Sequence, residues 1–392
     1  MSFKVKGKVI GSGELAVIEM EKGFIQTVHN TLGGSERITG PDDLWLAPTF
    51  FDIQVNGFAG VDLNSGRTTP DELEQVIMKL REKGVVLFCP TIITNSFEHM
   101  AACFRAIAQA CRNTKIAKAI PALHMEGPYI SPQEGPRGAH PLQHIRTPSW
   151  DEFQRFQECA EGLIGMLTLA PEGDGAIPLI EKLVDSGIAV AIGHTAAGRK
   201  EIQAAISAGA KCSTHLGNGS HALIPRHDNY IWEQLASDEL WASFIVDGHH
   251  LPPSVVKCLI RAKGISRSIL TSDAIAAAGM PPGKYRLGDT EVVVSPELKV
   301  ERADTAGSGY LAGSALDLLR GVENVVRFTG VSLEEAIRMA SSNPAALMGI
   351  PERLGKIEAG REANLILFQW DEQTKCLSLK YTIHAGEVVY QS

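Results

Sequence analysis

The 392-residue sequence has no apolar run long enough to cross a bilayer. Its first twenty residues, MSFKVKGKVIGSGELAVIEM, contain lysines but no apolar leader core, so no secretory signal is evident. There is no positive excess either: 37 Lys and Arg against 45 Asp and Glu leave a net charge of −8. With a pI near 5.9, that balance argues against nucleic acid or an anionic membrane as the main partner. The seven cysteines (Cys89, Cys103, Cys111, Cys159, Cys212, Cys258, Cys376) include no CxxC pair and are odd in number. Reduced, mostly buried thiols in a cytoplasmic protein are the simplest account. What is present is a globular mixture, 44% hydrophobic and 21% charged, long enough for one large barrel plus a smaller unit.

Residues 1–48 are rich in Val, Ile, Gly and Thr in short alternating runs, which predicts β-strands with tight turns. The C-terminus looks alike, with Leu365-Ile366-Leu367-Phe368, Leu377-Ser378-Leu379 and Gly386-Glu387-Val388-Val389. Neither end suffices for a sandwich alone, so both are expected to build one small β-sandwich domain, 1–48 plus 355–392. Between them, over 49–354, apolar runs alternate with amphipathic segments, the pattern of parallel α/β architecture. The runs end near Asp52, Gln54 and Asn56, then near Thr91, Glu126 and Glu172. Later runs end near His194, His215, Asp247 and Asp273. Helices are expected at 72–83, 100–112, 177–186, 200–208 and 254–262. Eight strands with crossovers suit a (β/α)8 barrel. An inserted hairpin is expected at 284–300. Ser314 and Ser332 are read as helix caps, with Asp317 and Glu335 three residues on, and Asn343-Pro344 as a helix break.

The stretch 190–219 organises the chemistry. Its first apolar run stops at His194, a helical segment follows, and a second run ends at His215. Strand, helix, strand makes the two strands parallel neighbours, so both histidines reach the carboxyl edge of one sheet. Two imidazoles there are either a metal site or unrelated loop residues. Glu126, in His124-Met125-Glu126-Gly127-Pro128, follows a run read as a buried strand at 119–123, where a carboxylate is costly unless paired or ligating. Asp273 sits on the last strand counted. Each taken singly has a structural reading, such as an Asp capping a helix. Taken jointly, one carboxylate and two imidazoles with an open position match the construction of catalytic zinc sites. A free Asp across the pocket can take and return the proton of water activated there.

The ordered set Phe51-Asp52-Ile53-Gln54-Val55-Asn56-Gly57, the HMEGP segment at 124–128, Gly193-His194-Thr195, Thr214-His215-Leu216, Val246-Asp247-Gly248-His249-His250 and Thr271-Ser272-Asp273-Ala274 resembles the amidohydrolase superfamily. Within it, the set is similar to the N-acetylglucosamine-6-phosphate deacetylase family. Ser342-Asn343-Pro344-Ala345 and Gly355-Lys356-Ile357-Glu358-Ala359-Gly360 extend the likeness to the C-terminus. The resemblance implies Glu126, His194 and His215 as metal ligands, Asp273 as the catalytic acid/base, and His250 as a group polarising the acetamide carbonyl. Many superfamily members carry His-x-His after the first strand and a Lys after the fourth. Here Gln54-Val55-Asn56 and Ala170-Pro171-Glu172 stand instead, which favours a single divalent ion, Zn²⁺.

The expected activity is hydrolysis of N-acetylglucosamine-6-phosphate, or a close acetylated amino-sugar phosphate, to acetate and the amino-sugar phosphate. Another N-acyl substrate is the alternative. Ala139 and His140, Asn218 and Gly219, and Asp247 and His249 are expected at the sugar by resemblance, together with Leu311, Ala312 and Gly313. Arg226 fits a phosphate-binding arginine that can act near a dimer interface, and a homodimer is implied on the same ground. The loop 217–229 departs from the family pattern, which usually has an aromatic, Asn, Ala and Met after Thr-His-Leu. It adds His221 and His227, which the resemblance does not assign.

Overall fold

A computed structural model describes residues 3–29, 44–305 and 311–392. Eight strands hydrogen-bond in chain order: Phe50–Val55, Val85–Ile93, Leu123–Glu126, Ile164–Leu169, Ala189–Ile192, Cys212–Ser213, Trp241–Phe244 and Ser268–Leu270. Every neighbouring pair is parallel. The first and last strands meet through a bridge between Val55 and Ala274, and Asn56 N donates to Ala274 O at 2.7 Å. Asp52 reinforces this seam by accepting from Thr271 Oγ1 at 2.8 Å and from Ser272 N at 3.2 Å. The sheet closes on itself as the (β/α)8 pattern requires. Parallel strands put all eight carboxyl ends on one rim, which is where the polar strand endings lie.

The helices at 72–83, 100–112, 177–186, 200–208 and 254–262 are present as Pro70–Arg81, Phe97–Ala110, Ala176–Asp185, Arg199–Ser207 and Pro253–Lys263. Pro70–Arg81 begins two residues early because Thr69 and Glu72 form a reciprocal capping box ahead of the apolar stripe. Its Leu73, Val76, Ile77 and Leu80 recur at three-to-four spacing and are buried. The run 119–123 is not a strand. The strand starts at Leu123 and runs to Glu126, and the preceding residues turn down from a short helix at Thr114–Ala117.

Ser314 does not cap the helix Leu318–Thr329. Asp317 does, accepting from Arg320 N, while Ser314 Oγ donates to Ser272 O at 2.5 Å. The Ser332–Glu335 capping box forms as expected. After Leu333–Ala340 the chain changes direction at Ser341 and restarts as a short helix, Ser342–Leu347. Trp150–Cys159 and Tyr230–Ala236 are helices the periodicity did not signal.

Both termini contribute to one seven-stranded sheet, in which Trp45–Pro48 pairs parallel with Phe3–Val9 and antiparallel with Leu365–Asp371. Ile18, Leu46, Leu365, Leu367 and Ile383 are fully buried within its own apolar cluster. The insertion after the barrel is three-stranded, Gly283–Leu287, Thr290–Val294 and Val300–Arg302. The expected hairpin is therefore present with one further strand. The glycine-rich stretch that follows the insertion in the sequence, Thr305-Ala306-Gly307-Ser308-Gly309, lies largely outside the described residues.

Candidate active site

The rim of the barrel carries a pocket of about 300 Å³ lined by Glu126, His194, His215 and Asp273. His194, His215 and Asp273 all take left-handed backbone angles, with φ of 50°, 29° and 52°. Few non-glycine residues do so, and here it turns each chain sharply as its strand ends. Glycines make room around His194. A Cβ on Gly219, itself at φ 56°, would meet His194 Nδ1 at 2.7 Å, and one on Gly138 would meet its Cε1 at 3.1 Å.

Glu126 Oε1 is the focus. Gln54 Nε2 donates to it at 2.9 Å, His215 Nε2 lies at 3.0 Å and His194 Nε2 at 3.2 Å. Burial pushes the Glu126 carboxyl up, but contacts with His194 and His215 outweigh this and hold it well below the usual carboxylate range. His194 Nδ1 faces Pro136 O at 2.8 Å. A carbonyl only accepts, so the proton of a neutral His194 sits on Nδ1 and its Nε2 is a bare lone pair. A lone pair 3.2 Å from a carboxylate oxygen needs a positive charge between them, either a second proton or a cation.

His140 adds a third nitrogen. Its Nε2 is 3.3 Å from His194 Nε2, and its Nδ1 is 2.8 Å from Thr94 Oγ1. Thr94 Oγ1 donates to Glu126 O, so it is left to accept from His140 Nδ1–H. Burial pushes the His140 imidazole down to about 3, with the neighbouring His194 adding to the shift. The ring is therefore neutral, with Nε2 bare. Ligand atoms of Glu126, His140 and His194 lie within 4.8 Å of one another. Converging lone pairs on a carboxylate and imidazoles fit a divalent metal ion. His215 Nδ1, by contrast, is buried with no hydrogen-bond partner among the described residues, so the ring's polar contact is through Nε2 to Glu126.

Asp273 stands apart from this cluster. Asn56 Nδ2 donates to its Oδ1 at 2.7 Å. Burial, then the charge of Glu126, push its carboxyl up to about 7, against the opposing pull of His215 and Asn56. A buried carboxyl that titrates near neutrality is suited to exchanging a proton. His250 also lines the pocket. Asp247 accepts from the backbone N–H groups of His249 and His250 at 2.8 Å each, and its Oδ2 lies 2.7 Å from His250 Nδ1. That contact leaves Nε2 as the free ring nitrogen.

Ala139, His140, Asn218, Gly219 and His249 line the same pocket, as do Leu311, Ala312 and Gly313. Asp247 does not; it lies behind His250 and orients it. Arg226 does not line it either. It is exposed on the 217–229 loop, where its carbonyl accepts from Trp232 Nε1. His124 is no part of the cluster. It spans the barrel interior from Ile53 O at 3.1 Å to Thr168 Oγ1 at 2.7 Å, and burial pushes its imidazole down to about 4. Glu172 caps the 195–196 turn by accepting from Thr195 Oγ1 and Ala196 N.

His221 packs the atypical loop, with Nδ1 3.1 Å from the Tyr230 hydroxyl and Nε2 3.2 Å from Gln133 Oε1. His227 is exposed, in a surface groove beside Arg199 and Asp228. Gln54 and Asn56, which the sequence marked only as standing in place of His-x-His, prove to hold the carboxylates of Glu126 and Asp273. Their signal was alternation, two amides two residues apart on the inner face of a strand.

A family model described as the amidohydrolase family matches residues 45–389. An N-acetylgalactosamine-6-phosphate deacetylase of Escherichia coli O157:H7 is 34% identical over 330 residues, 84% of this chain and 85% of its own. An N-acetylglucosamine-6-phosphate deacetylase of Bacillus subtilis (strain 168) is 30% identical over 375 residues, 95% of this chain and 92% of its own. Among solved structures, a mutant N-acetyl-D-glucosamine-6-phosphate deacetylase of Mycobacterium smegmatis in complex with N-acetyl-D-glucosamine-6-phosphate superposes with a TM-score of 0.89 at 27% identity, over the whole of both chains.

Proposed function

The chain belongs to the amidohydrolase family, and on that premise we propose that it hydrolyses the acetamide of N-acetylglucosamine-6-phosphate, or a close acetylated amino-sugar phosphate, to acetate and the amino-sugar phosphate. The observation that carries the reading is the convergence of His194 and His215 on Glu126 with Asp273 in the same pocket. Glu126, His194 and His215 would hold one divalent ion, for which Zn²⁺ suits two imidazoles and a carboxylate. When bound, such an ion polarises the amide carbonyl and makes water nucleophilic at neutral pH.

The protein's own groups do the rest. Asp273, oriented by Asn56, takes the proton from the attacking water and returns it to the departing amine. His250, in its protonated form, donates from Nε2 to the carbonyl oxygen, and the Asp247 carboxylate on Nδ1 stabilises that charged ring. His140 keeps its lone pair toward the pocket, where it accepts from a sugar hydroxyl. Leu311, Ala312 and Gly313 form the wall against the sugar.

Incubating purified, metal-loaded protein with N-acetylglucosamine-6-phosphate should release one acetate per amine formed, with about one metal ion per chain. Metal-loaded protein that releases none would refute the assignment. A second reading, an acyl substrate without phosphate, is favoured by one observation: Arg226 lies outside the pocket. Comparing rates on N-acetylglucosamine with and without the phosphate separates the two.

A homodimer is supported by the apolar residues beside Arg226. Leu223 is 92% exposed and Trp232 51%, unusual for large apolar side chains. The seven cysteines are all free, which supports a cytoplasmic setting. Among the described residues no helix is long and apolar enough to cross a membrane.

A further inference from the structure

The far end of the barrel carries a second cleft, of about 710 Å³, between the barrel and the terminal sheet. Trp241 opens the strand Trp241–Phe244 and Arg267 directly precedes Ser268–Leu270. Both line the cleft, which therefore lies at the amino ends of the strands, opposite the reaction pocket. Ser342-Asn343 and Gly355-Lys356-Ile357-Glu358 also line it, two C-terminal motifs that the chemistry at the rim does not use. Asn343 Nδ2 donates to Ile265 O and Ser268 O at 2.7 Å each, which fixes the turn carrying Arg267. The helix Leu333–Ala340, which carries Arg338, packs against that turn.

The charged lining is Arg267, Arg338, Lys356 and Arg361 against Glu334 and Glu358, a net charge of +2. Glu358 is engaged by Lys356 at 3.5 Å and by Arg361 at 3.7 Å. Arg267 and Arg338 make no ion pair among the described residues. The Arg267 guanidinium carbon lies 4.2 Å from the centroid of the Trp241 ring, a stacking that orients its plane and leaves its N–H edge for a ligand. Trp241 Nε1 and Ser341 Oγ, from the same wall, are buried with no hydrogen-bond partner among the described residues. Buried donors without acceptors are uncommon in folded proteins.

We propose that this cleft is a second ligand site, which takes a phosphorylated small molecule with its phosphate on Arg267 and Arg338. Guanidinium forks match phosphate oxygens in shape and charge. A phosphate dianion balances the net charge of the lining, and a carboxylate would balance only half of it. Val9, Ile10 and Ile357 give the carbon part an apolar wall, and clefts between structural units are common ligand sites. The site stands apart from the rim, so it does not rest on the deacetylase reading.

The test is fluorine NMR of the full-length, metal-loaded protein labelled with fluorotryptophan, the Trp241 resonance being assigned by its loss in Trp241→Phe. Glycerol phosphate, added at constant ionic strength, should shift that resonance saturably, and sodium chloride should not. It should bind at least as tightly as inorganic phosphate. Arg338→Gln, at an exposed helix position, should raise its Kd roughly ten- to a hundredfold, as loss of a charged hydrogen bond does. Arg338→Lys should recover part of the loss, and Arg267→Gln should weaken binding likewise. No saturable shift, a shift that chloride reproduces, or weaker binding than inorganic phosphate would overturn the proposal. So would an affinity unchanged in both glutamine variants.

Discussion

Asn56 Nδ2 donates to Asp273 Oδ1 at 2.7 Å across the seam where the first barrel strand meets the last. Two residues earlier, Gln54 does the same for Glu126 at 2.9 Å. Where many members of the superfamily carry two histidines, this chain carries two amides, each holding one carboxylate. An amide donor orients a carboxylate without adding a ligand nitrogen, an arrangement that supports the proposed single ion and the proposed proton-transfer role of Asp273.

Asp273→Asn should therefore separate chemistry from metal binding. The amide still fills the space beside Asn56 but cannot take a proton. We expect kcat to fall about 10²–10⁴-fold, the usual weight of a general acid/base, with the metal content unchanged by elemental analysis. Full turnover in this variant would remove Asp273 from the mechanism.

Glu126→Gln should act on the metal itself. The neutral amide cannot balance a divalent charge, so the purified variant should hold far less metal than the wild type. Chelation should lower the melting temperature of the wild type, since a ligand held at about a hundred times its Kd stabilises a fold by roughly 2.7 kcal/mol. The same treatment should leave Glu126→Gln unmoved. Equal metal content in the two proteins would contradict the ligand assignment.

Leu223→Asp tests the dimer. An apolar side chain 92% exposed gains from burial against a second copy, whereas a carboxylate there resists it. Sedimentation should give twice the 42.2 kDa chain mass for the wild type and the single mass for the variant. A wild type that sediments as a monomer at all concentrations would dispose of the interface.

Asp52 predicts a pH dependence of stability. Burial raises its carboxyl from the ordinary 3.8 to about 6, against hydrogen bonds from Ser272 and Thr271. The folded state thus binds this proton more tightly than the unfolded chain, so its contribution to stability is complete below pH about 4 and lost as pH rises to about 6. The swing is on the order of 3 kcal/mol. Asp52→Asn keeps an acceptor for Thr271 and cannot ionise. Its stability relative to wild type in denaturant titrations should rise by that order between pH 4 and 6, and a constant difference would count against the shift.

Hydrophobic periodicity, caps and the spacing of strand endings determined the barrel and the terminal sheet. They also determined that Glu126, His194, His215 and Asp273 share a rim, because parallel strands deliver every carboxyl end to one side. The cap at Asp317 rather than Ser314, and the strand beginning at Leu123, depended on which hydrogen bonds the packed barrel offers, and local pattern does not record those. Only the tertiary structure decided that Arg226 stands exposed outside the pocket lining while His140 sits inside it against His194. Loop side chains follow no period, so their direction is set by contacts between segments far apart in the chain.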